Sequence, residues 1–450
     1  MRTRWRMAAS ELQSGVPAEP PGVYARPPVG CIYLGANTNS AFLDVAAKFD
    51  FVIMSLGPAS SGAGNAALVT GLKARNPAVK VFGYIAQGEA SMSGNDTRVG
   101  ATQTWDNPHI KATAEGWWLT KVNGDKVQTF APGTAAYDMN YTAWVSPDAN
   151  GQRYPQWYGD YITDMSRRGG RVPDGYFIDV TMHYGWVSAD WDVSGSVDTN
   201  YTDSATRLAM RQGHKALFDR LKHHDPSVIL VANSEISGNR NVDEFYDDAT
   251  NIVGQANYFA ENALSTFHPS LIVVNGFNGP NAGAILKRAV DLVAASSNPL
   301  YAVMRSEGDG TTDYRAMRFG YAVARALGVT PVHTTSSSPS ANHPKWFDEY
   351  ESELGTPIDA VPTAAAVGNI WLRRYQNGMV AFNVNSITPA GPGNYGPGSA
   401  ENYTPPAGLY KHLVGTQDPA VNTGATITGA MSIPAWDGRV LMCVTPGVHS

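Results

Sequence analysis

From about residue 28 to residue 335 the chain alternates short, continuously apolar runs with amphipathic stretches. The apolar runs are "GCIYLGAN" (30–37), "DFVIMSLG" (50–57), "KVFGYIAQGE" (80–89) and "GYFIDV" (175–180). They continue with "SVILVANSE" (227–235), "NIVGQANYFAEN" (251–262), "LYAVMRSEGDG" (299–310) and "GVTPVHTT" (328–335). Runs without polar alternation belong to strands buried on both faces, as in a parallel sheet covered by helices. Helical spacing fits "NSAFLDVAAKF" between the first two runs, and residues 65–75, 156–168, 202–223, 281–295 and 313–328, the last ending on a glycine. Eight such units over about 300 residues predict a closed (β/α)8 TIM barrel rather than an open doubly wound sheet. The turn "GANTNS" after the first strand lacks the glycine spacing of a dinucleotide fingerprint, which removes the main reason to prefer the open sheet.

The pattern changes after the polar stretch "TTSSSPSANHP" (334–344). Residues 366–450 carry strand-like segments separated by "NG" and "DG" turns, which predict a small antiparallel β-sandwich. The expected organisation is an N-terminal extension (1–27), a barrel (28–345), a linker (346–365) and a C-terminal β-domain (366–450). That domain would shield one side of the barrel, with Trp436 and Tyr410 as candidate glycan contacts.

Composition narrows the function. Hydrophobic residues make up 43 % of the chain and charged residues only 16 %; 33 Lys and Arg against 39 Asp and Glu give a net charge of −6. Without a basic face, nucleic acid is not an expected partner. No stretch reaches ~20 apolar residues, so no membrane span is expected. Cys31 and Cys443 lie far apart in strand-like runs and read as buried free thiols. The opening "MRTRWRMAAS" is basic but lacks the apolar core of a secretory signal. The compartment stays open, with an extracellular or virion-associated setting expected ahead of a cytoplasmic one. Asn95, Asn140, Asn200 and Asn402 head N-x-S/T sequons, which matter only in a glycosylating host.

In a (β/α)8 enzyme the chemistry lies at the carboxyl ends of the strands. The acids at predicted strand ends are Glu89, Asp179, Glu235, Glu261, Glu307 and Asp309. Carboxylates converging on one mouth suit glycoside hydrolysis, which uses one protonated acid and one ionised partner. Tyr84, Trp117, Trp118, Tyr176, Tyr184, Trp186, Trp191 and Tyr258 fall at or beyond predicted strand ends, where flat rings could stack on sugars. Each has a structural competitor: Asp179 could cap a turn, Glu235 could be a solvated loop acid, and "WWL" could be core. Asp179, Glu261 and Glu235 are the catalytic candidates. Tyr84, Glu89, Trp117, Trp118, His183, Tyr184, Trp186, Asn233, Gln255 and Glu307 are the substrate-binding candidates. His183, His223 and His224 lack zinc spacing, and "SEGDGTTD" is only a weak calcium-like loop, so neither metal nor cofactor is expected.

In order along the chain, "VFGYIAQGE", "GWWLTKVNGDKV", "MNYTAWVSP", "PDGYFIDV", "VILVANSE", "VGQANYFAEN", "KWFDEYESELGTP" and "WLRRYQNGMVAFNVNS" span residues 80 to 385. Together they resemble the glycoside hydrolase families of the polygalactosaminidase-like (β/α)8 group. The resemblance implies a catalytic Asp on the fourth strand, here Asp179 in "DGYFID". It also implies an acid at the end of strand six, here Glu261, and a polar or acidic residue after strand five, here Glu235. Relatives often carry a second Asp a few residues beyond the first; here that stretch is "VTMHYGW" and the next acids are Asp190 and Asp192. The expected function is a glycosidase acting on a polysaccharide, oligosaccharide or glycoconjugate. A non-catalytic carbohydrate-binding module, associated with a larger assembly such as a phage-like particle, is the alternative. A metal-dependent hydrolase or deacetylase would need a His/Asp cluster that the sequence does not display.

Overall fold

The computed structural model describes residues 26–35, 37–55, 62–86, 89–91, 108–128, 136–168, 173–179, 181, 187–198, 203–233, 266–267, 290, 303–308, 310–335, 343–365, 369–384 and 399–448. Eight parallel strands form one sheet: β1 (Gly30–Tyr33), β2 (Phe51–Ser55), β3 (Lys80–Ala86), β4 (Gly175–Asp179), β5 (Ile229–Ala232), β6 (Thr266–Phe267), β7 (Val303–Glu307) and β8 (Thr330–Thr334). Their lateral order is β5-β4-β3-β2-β1-β8-β7-β6. The first strand therefore pairs with both the second and the last, Gly30 with Phe51 on one side and with Val332 on the other. An open doubly wound sheet has no such pairing, whereas a barrel requires it. The fold is a (β/α)8 TIM barrel.

Side-chain alternation sorts each strand into two sets. Ile32, Phe51, Ile53, Phe82, Phe177, Val231, Val303 and Val332 pack together, with Leu34, Tyr84 and Ile229 against them, and fill the lumen. The intervening residues, among them Cys31, Val52, Met54, Val81, Ile85, Tyr176, Ile178, Leu230 and Ala232, face outward into the layer of helices. Both faces are apolar, which is why the strands read as unbroken hydrophobic runs. Gly30 belongs to the lumen set, and a Cβ there would stand 2.3 Å from the Phe51 ring, so its lack of a side chain makes room for that ring.

Helices run over Ser40–Ala46, Gly62–Arg75, Pro108–Glu115, Tyr154–Arg168, Ser204–His224 and Arg315–Leu327. Asn39 and Asp203 cap two of them, accepting the amides of Phe42 at 2.8 Å and Thr206 at 2.7 Å. Pro108–Glu115 was not legible in the apolar pattern because it buries only Ala112; its signals are the proline at its first position and Gly116, at φ 70°, just past its end. The predicted sixth strand (251–262) and most of the helix 281–295 lie outside the described residues. The strand seen beside β7 is Thr266–Phe267.

Beyond the barrel, β9 (Thr363–Ala364), β10 (Ile370–Tyr375), β11 (Gly378–Asn383), β13 (Tyr410–His412) and β15 (Gly438–Cys443) form an antiparallel sheet in the order β9-β10-β11-β15-β13. A two-stranded ladder, β12 (Glu401–Tyr403) with β14 (Met431–Ile433), completes this part. Met379 and Ala381 pack on one side with Ile433 and Leu441, while Val380 and Phe382 join the helix 315–327 in the main core. With both faces covered, β11 is buried at every position. Cys31 and Cys443 are buried, and neither forms a disulfide among the described residues. No helix among the described residues is long and apolar enough to cross a membrane.

Candidate functional site

Asp179 is the last residue of β4 and lies two positions beyond Phe177, hence on the lumen side at the carboxyl end of the barrel. The neighbouring strands hold its two oxygens. The Tyr84 hydroxyl, at the end of β3, donates to Oδ2. The Asn233 side-chain amide, just past β5, donates to Oδ1 at 2.7 Å. Both donors follow the same alternation, Tyr84 after Phe82 and Asn233 after Val231, so one layer of lumen positions has changed from apolar to polar. Tyr84 stacks on Phe177 with ring centroids 5.9 Å apart, which fixes the phenol. The ladder also continues past β4, with Thr181 N donating to Asn233 O at 3.1 Å and Asn233 N donating to Ile178 O at 2.7 Å. The carboxylate is partly exposed and oriented from both flanks by neutral donors.

Two more lumen positions carry charge. Arg305 and Glu307 follow Val303 at two-residue spacing on β7, with Nη2 of Arg305 3.5 Å from Oε2 of Glu307. Glu307 pairs in register with Thr334 at the end of β8, so it occupies the same end of the barrel as Asp179. Arg305 was missed from the sequence, although its spacing from Glu307 was a usable signal. On the outer face of the same strands, His333 accepts or donates a 2.9 Å bond with Ser306, and burial lowers its pKa to about 4.

Several sequence-based expectations are corrected here. Trp117 is fully buried, with its indole N–H donating to Ser146 O at 2.8 Å, and Trp118 is buried beside it. Tyr176 and Trp191 are also buried in the layer outside the barrel. These four rings are packing elements, and no sugar can stack on faces that are already covered. Trp436 and Tyr410 are likewise buried, Trp436 lying edge-on to Phe319 at 5.1 Å. Asn140 is buried and donates to Trp191 O at 2.7 Å, so its sequon is closed in the folded chain. Asp190 and Asp192 cluster with Asp198. Glu89 lies on a short ladder opposite Asp138, and its side chain is outside the described residues, as are Glu235, Glu261, Gln255, His183, Tyr184, Trp186, Tyr258 and Asp309.

No curated protein sequence matches the chain. The fold is similar to a pullulanase from Bacillus acidopullulyticus at 11% identity and a TM-score of 0.43, over 89% of this chain and 55% of the pullulanase. It is also similar to an alpha-amylase from Lactobacillus plantarum at 11% identity and a TM-score of 0.45, over 94% of this chain and 99% of the amylase. A third likeness, to alpha-galactosidase I from Mortierella vinacea, has 10% identity and a TM-score of 0.43 over 95% and 99% of the two chains. The chain spans little more than half of the pullulanase. Residues 73–379, more than half of the chain, match the family described as hypothetical glycosyl hydrolase family 15. The chain belongs to that family.

Proposed function

We propose that the protein is a glycoside hydrolase acting by a two-carboxylate mechanism on a polysaccharide or oligosaccharide, with Asp179 as nucleophile or electrostatic stabiliser. The observation that carries this reading is the Tyr84–Asp179–Asn233 arrangement at the carboxyl end of the barrel. A carboxylate that accepts two hydrogen bonds is held as an electron-pair donor, the form in which it can attack or stabilise an oxocarbenium-like centre. The second carboxylate, a general acid/base, comes from Glu261 or Glu235, as first expected, or from Glu307 at the end of β7. Of these, Glu307 is supported by its lumen position and Glu261 by the family resemblance. Separations of about 5 Å between the two carboxyls would give retention and about 6.5–9.5 Å inversion.

The test is a polysaccharide panel digested by the wild type and by Asp179→Asn, Glu235→Gln, Glu261→Gln and Glu307→Gln. Asp179→Asn and one of the three Gln variants should each lose at least about a hundredfold in turnover. Near wild-type release of reducing ends by Asp179→Asn would sink the assignment. Retention of glycan with no release by the wild type would favour the binding-module reading instead.

A further inference from the structure

The segment after β4 contains a second constellation, independent of the glycosidase reading. Residues 190–198 read "DWDVSGSVD". One carboxylate oxygen from each of Asp190, Asp192 and Asp198 lies within 4.8 Å of the others. Among the described residues no Lys, Arg or His forms an ion pair with any of them. Asp190 is only 7 % exposed, and its Oδ1 is buried with no hydrogen-bond partner. An enclosed, unpartnered carboxylate oxygen beside two other acids is costly unless something positive completes it.

The remaining oxygens are tied to the loop's own backbone. Asp190 Oδ2 accepts Gly195 N at 3.0 Å, Asp192 Oδ1 accepts Ser194 N at 3.0 Å, and Asp198 Oδ2 accepts Trp191 N at 2.7 Å and Asp192 N at 3.0 Å. These bonds leave Asp190 Oδ1, Asp192 Oδ2 and Asp198 Oδ1 without one. The frame around them is rigid. Asp190 N donates to Thr120 O at 2.9 Å and Asp198 N to Ala189 O at 2.8 Å, and the fully buried Trp191 anchors the turn between the first two acids.

The spacing agrees with the geometry. Twelve-residue calcium loops place oxygen ligands at positions 1, 3, 5 and 9, a carbonyl ligand at 7, a glycine at 6 and a bidentate Glu at 12. Counting from Asp190, this chain matches the first nine positions with Asp190, Asp192, Ser194 and Asp198, the Ser196 carbonyl, and Gly195 at φ 81°, and departs at the twelfth, which is Tyr201. The donors are all oxygen, which disfavours zinc and the softer transition metals. Calcium tolerates irregular sets of six to eight oxygens, whereas magnesium demands a near-ideal octahedron and gives up water reluctantly. We infer that residues 190–198 form a calcium-binding loop that braces the connection following the strand of Asp179.

The experiment uses the full chain freed of metal with a chelator. Calcium, and separately magnesium, is titrated while thermal unfolding is followed, and terbium luminescence is excited through the indole of Trp191. Calcium at a hundredfold excess over its Kd should raise Tm by about 3 °C. Terbium should saturate at one ion per chain and be displaced by calcium, and magnesium should act more weakly. Asp192→Asn, which retains an acceptor for Ser194 N, should weaken calcium binding at least tenfold, while Asp219→Asn on a distant exposed helix face should not. Absence of a calcium-dependent shift and of terbium binding in the wild type overturns the inference, as does wild-type affinity in a folded Asp192→Asn. If Asp192→Asn does not fold, the wild-type stoichiometry decides alone.

Discussion

Asp179 occupies a lumen position of the kind that Phe177 fills one layer below, so its carboxylate is there in place of an apolar side chain that would pack at least as well. Its two neutral donors do different work. Asn233 is fixed by the continuing ladder, while Tyr84 is fixed by its stack on Phe177. Tyr84→Phe keeps the stack and deletes the hydroxyl, so turnover on a cleavable glycan should fall about 10- to 100-fold, the worth of one hydrogen bond to a charged group. Unchanged kcat and KM would remove Tyr84 from the site. His333 supports a second prediction at this scale. Burial, helped by the charge of Lys345, holds its pKa near 4, against 6.5 for an ordinary imidazole. The unfolded chain therefore takes up a proton that the folded chain refuses between those values. The His333 contribution is complete above pH 6.5 and is lost as pH falls toward 4, by about 3 kcal/mol in all. Denaturant unfolding of His333→Gln should lack that part of the slope; an unchanged slope between pH 6.5 and 4 would contradict it. Asp179, Tyr84 and Asn233 were legible because each closes a strand at two-residue spacing from an apolar residue. Trp117, Trp118, Tyr176 and Trp191 were misread because a covered ring and an open one look alike in sequence.

The helix Arg315–Leu327 is the element that most shapes the molecule beyond the site. It is buried almost all round, with β7 and β8 on one side and β11 and β15 on the other. Arg318, in its second turn, reaches Asp437 through Nε at 2.8 Å and Nη2 at 3.0 Å, and Asp418 through Nη1 at 2.5 Å. Asp437, itself buried, has Arg439 as a second partner at 2.6 Å. Arg318→Ala should destabilise the protein by about 3 kcal/mol in denaturant unfolding, since it leaves the buried Asp437 with Arg439 alone and removes the partner of the half-buried Asp418. A loss below about 0.5 kcal/mol, the range of a surface change, would refute it. The helix itself was legible, and so was its end at Gly328, which has a φ of 78°. Its sharing between two layers was not, because periodicity reports how much of an element is apolar but not what covers it. The same ambiguity explains β11, whose unbroken burial comes from neighbours far away in the chain.

On the scale of the whole molecule, the barrel and the C-terminal sheet share one continuous core. Val380, Phe382, Trp436 and Val440 pack in the same cluster as Phe319 and Val323, and Phe347, Tyr350 and Leu354 lie there too. Removing residues 366–450 should therefore uncover the outer face of the helix 315–327 and cost solubility and cooperative unfolding together. A soluble fragment ending at 365 with a sharp transition near the full-length Tm would show that the sheet is dispensable. The eight-strand alternation and the strand–turn pattern of the tail made the architecture readable. The closure of β1 onto β8 followed only from the count of eight units, because no local signal encodes the register of a pairing across 300 residues.

The enclosed amide of Asn140 carries a practical corollary. Oligosaccharyltransferase acts on a nascent chain, before Trp191 has claimed that nitrogen, and a sugar tree attached there has no route into a space where the side chain is 1 % exposed. In a eukaryotic secretory host, occupancy of this sequon and attainment of the native state would exclude each other molecule by molecule, whereas a bacterial cytosol would never impose the choice.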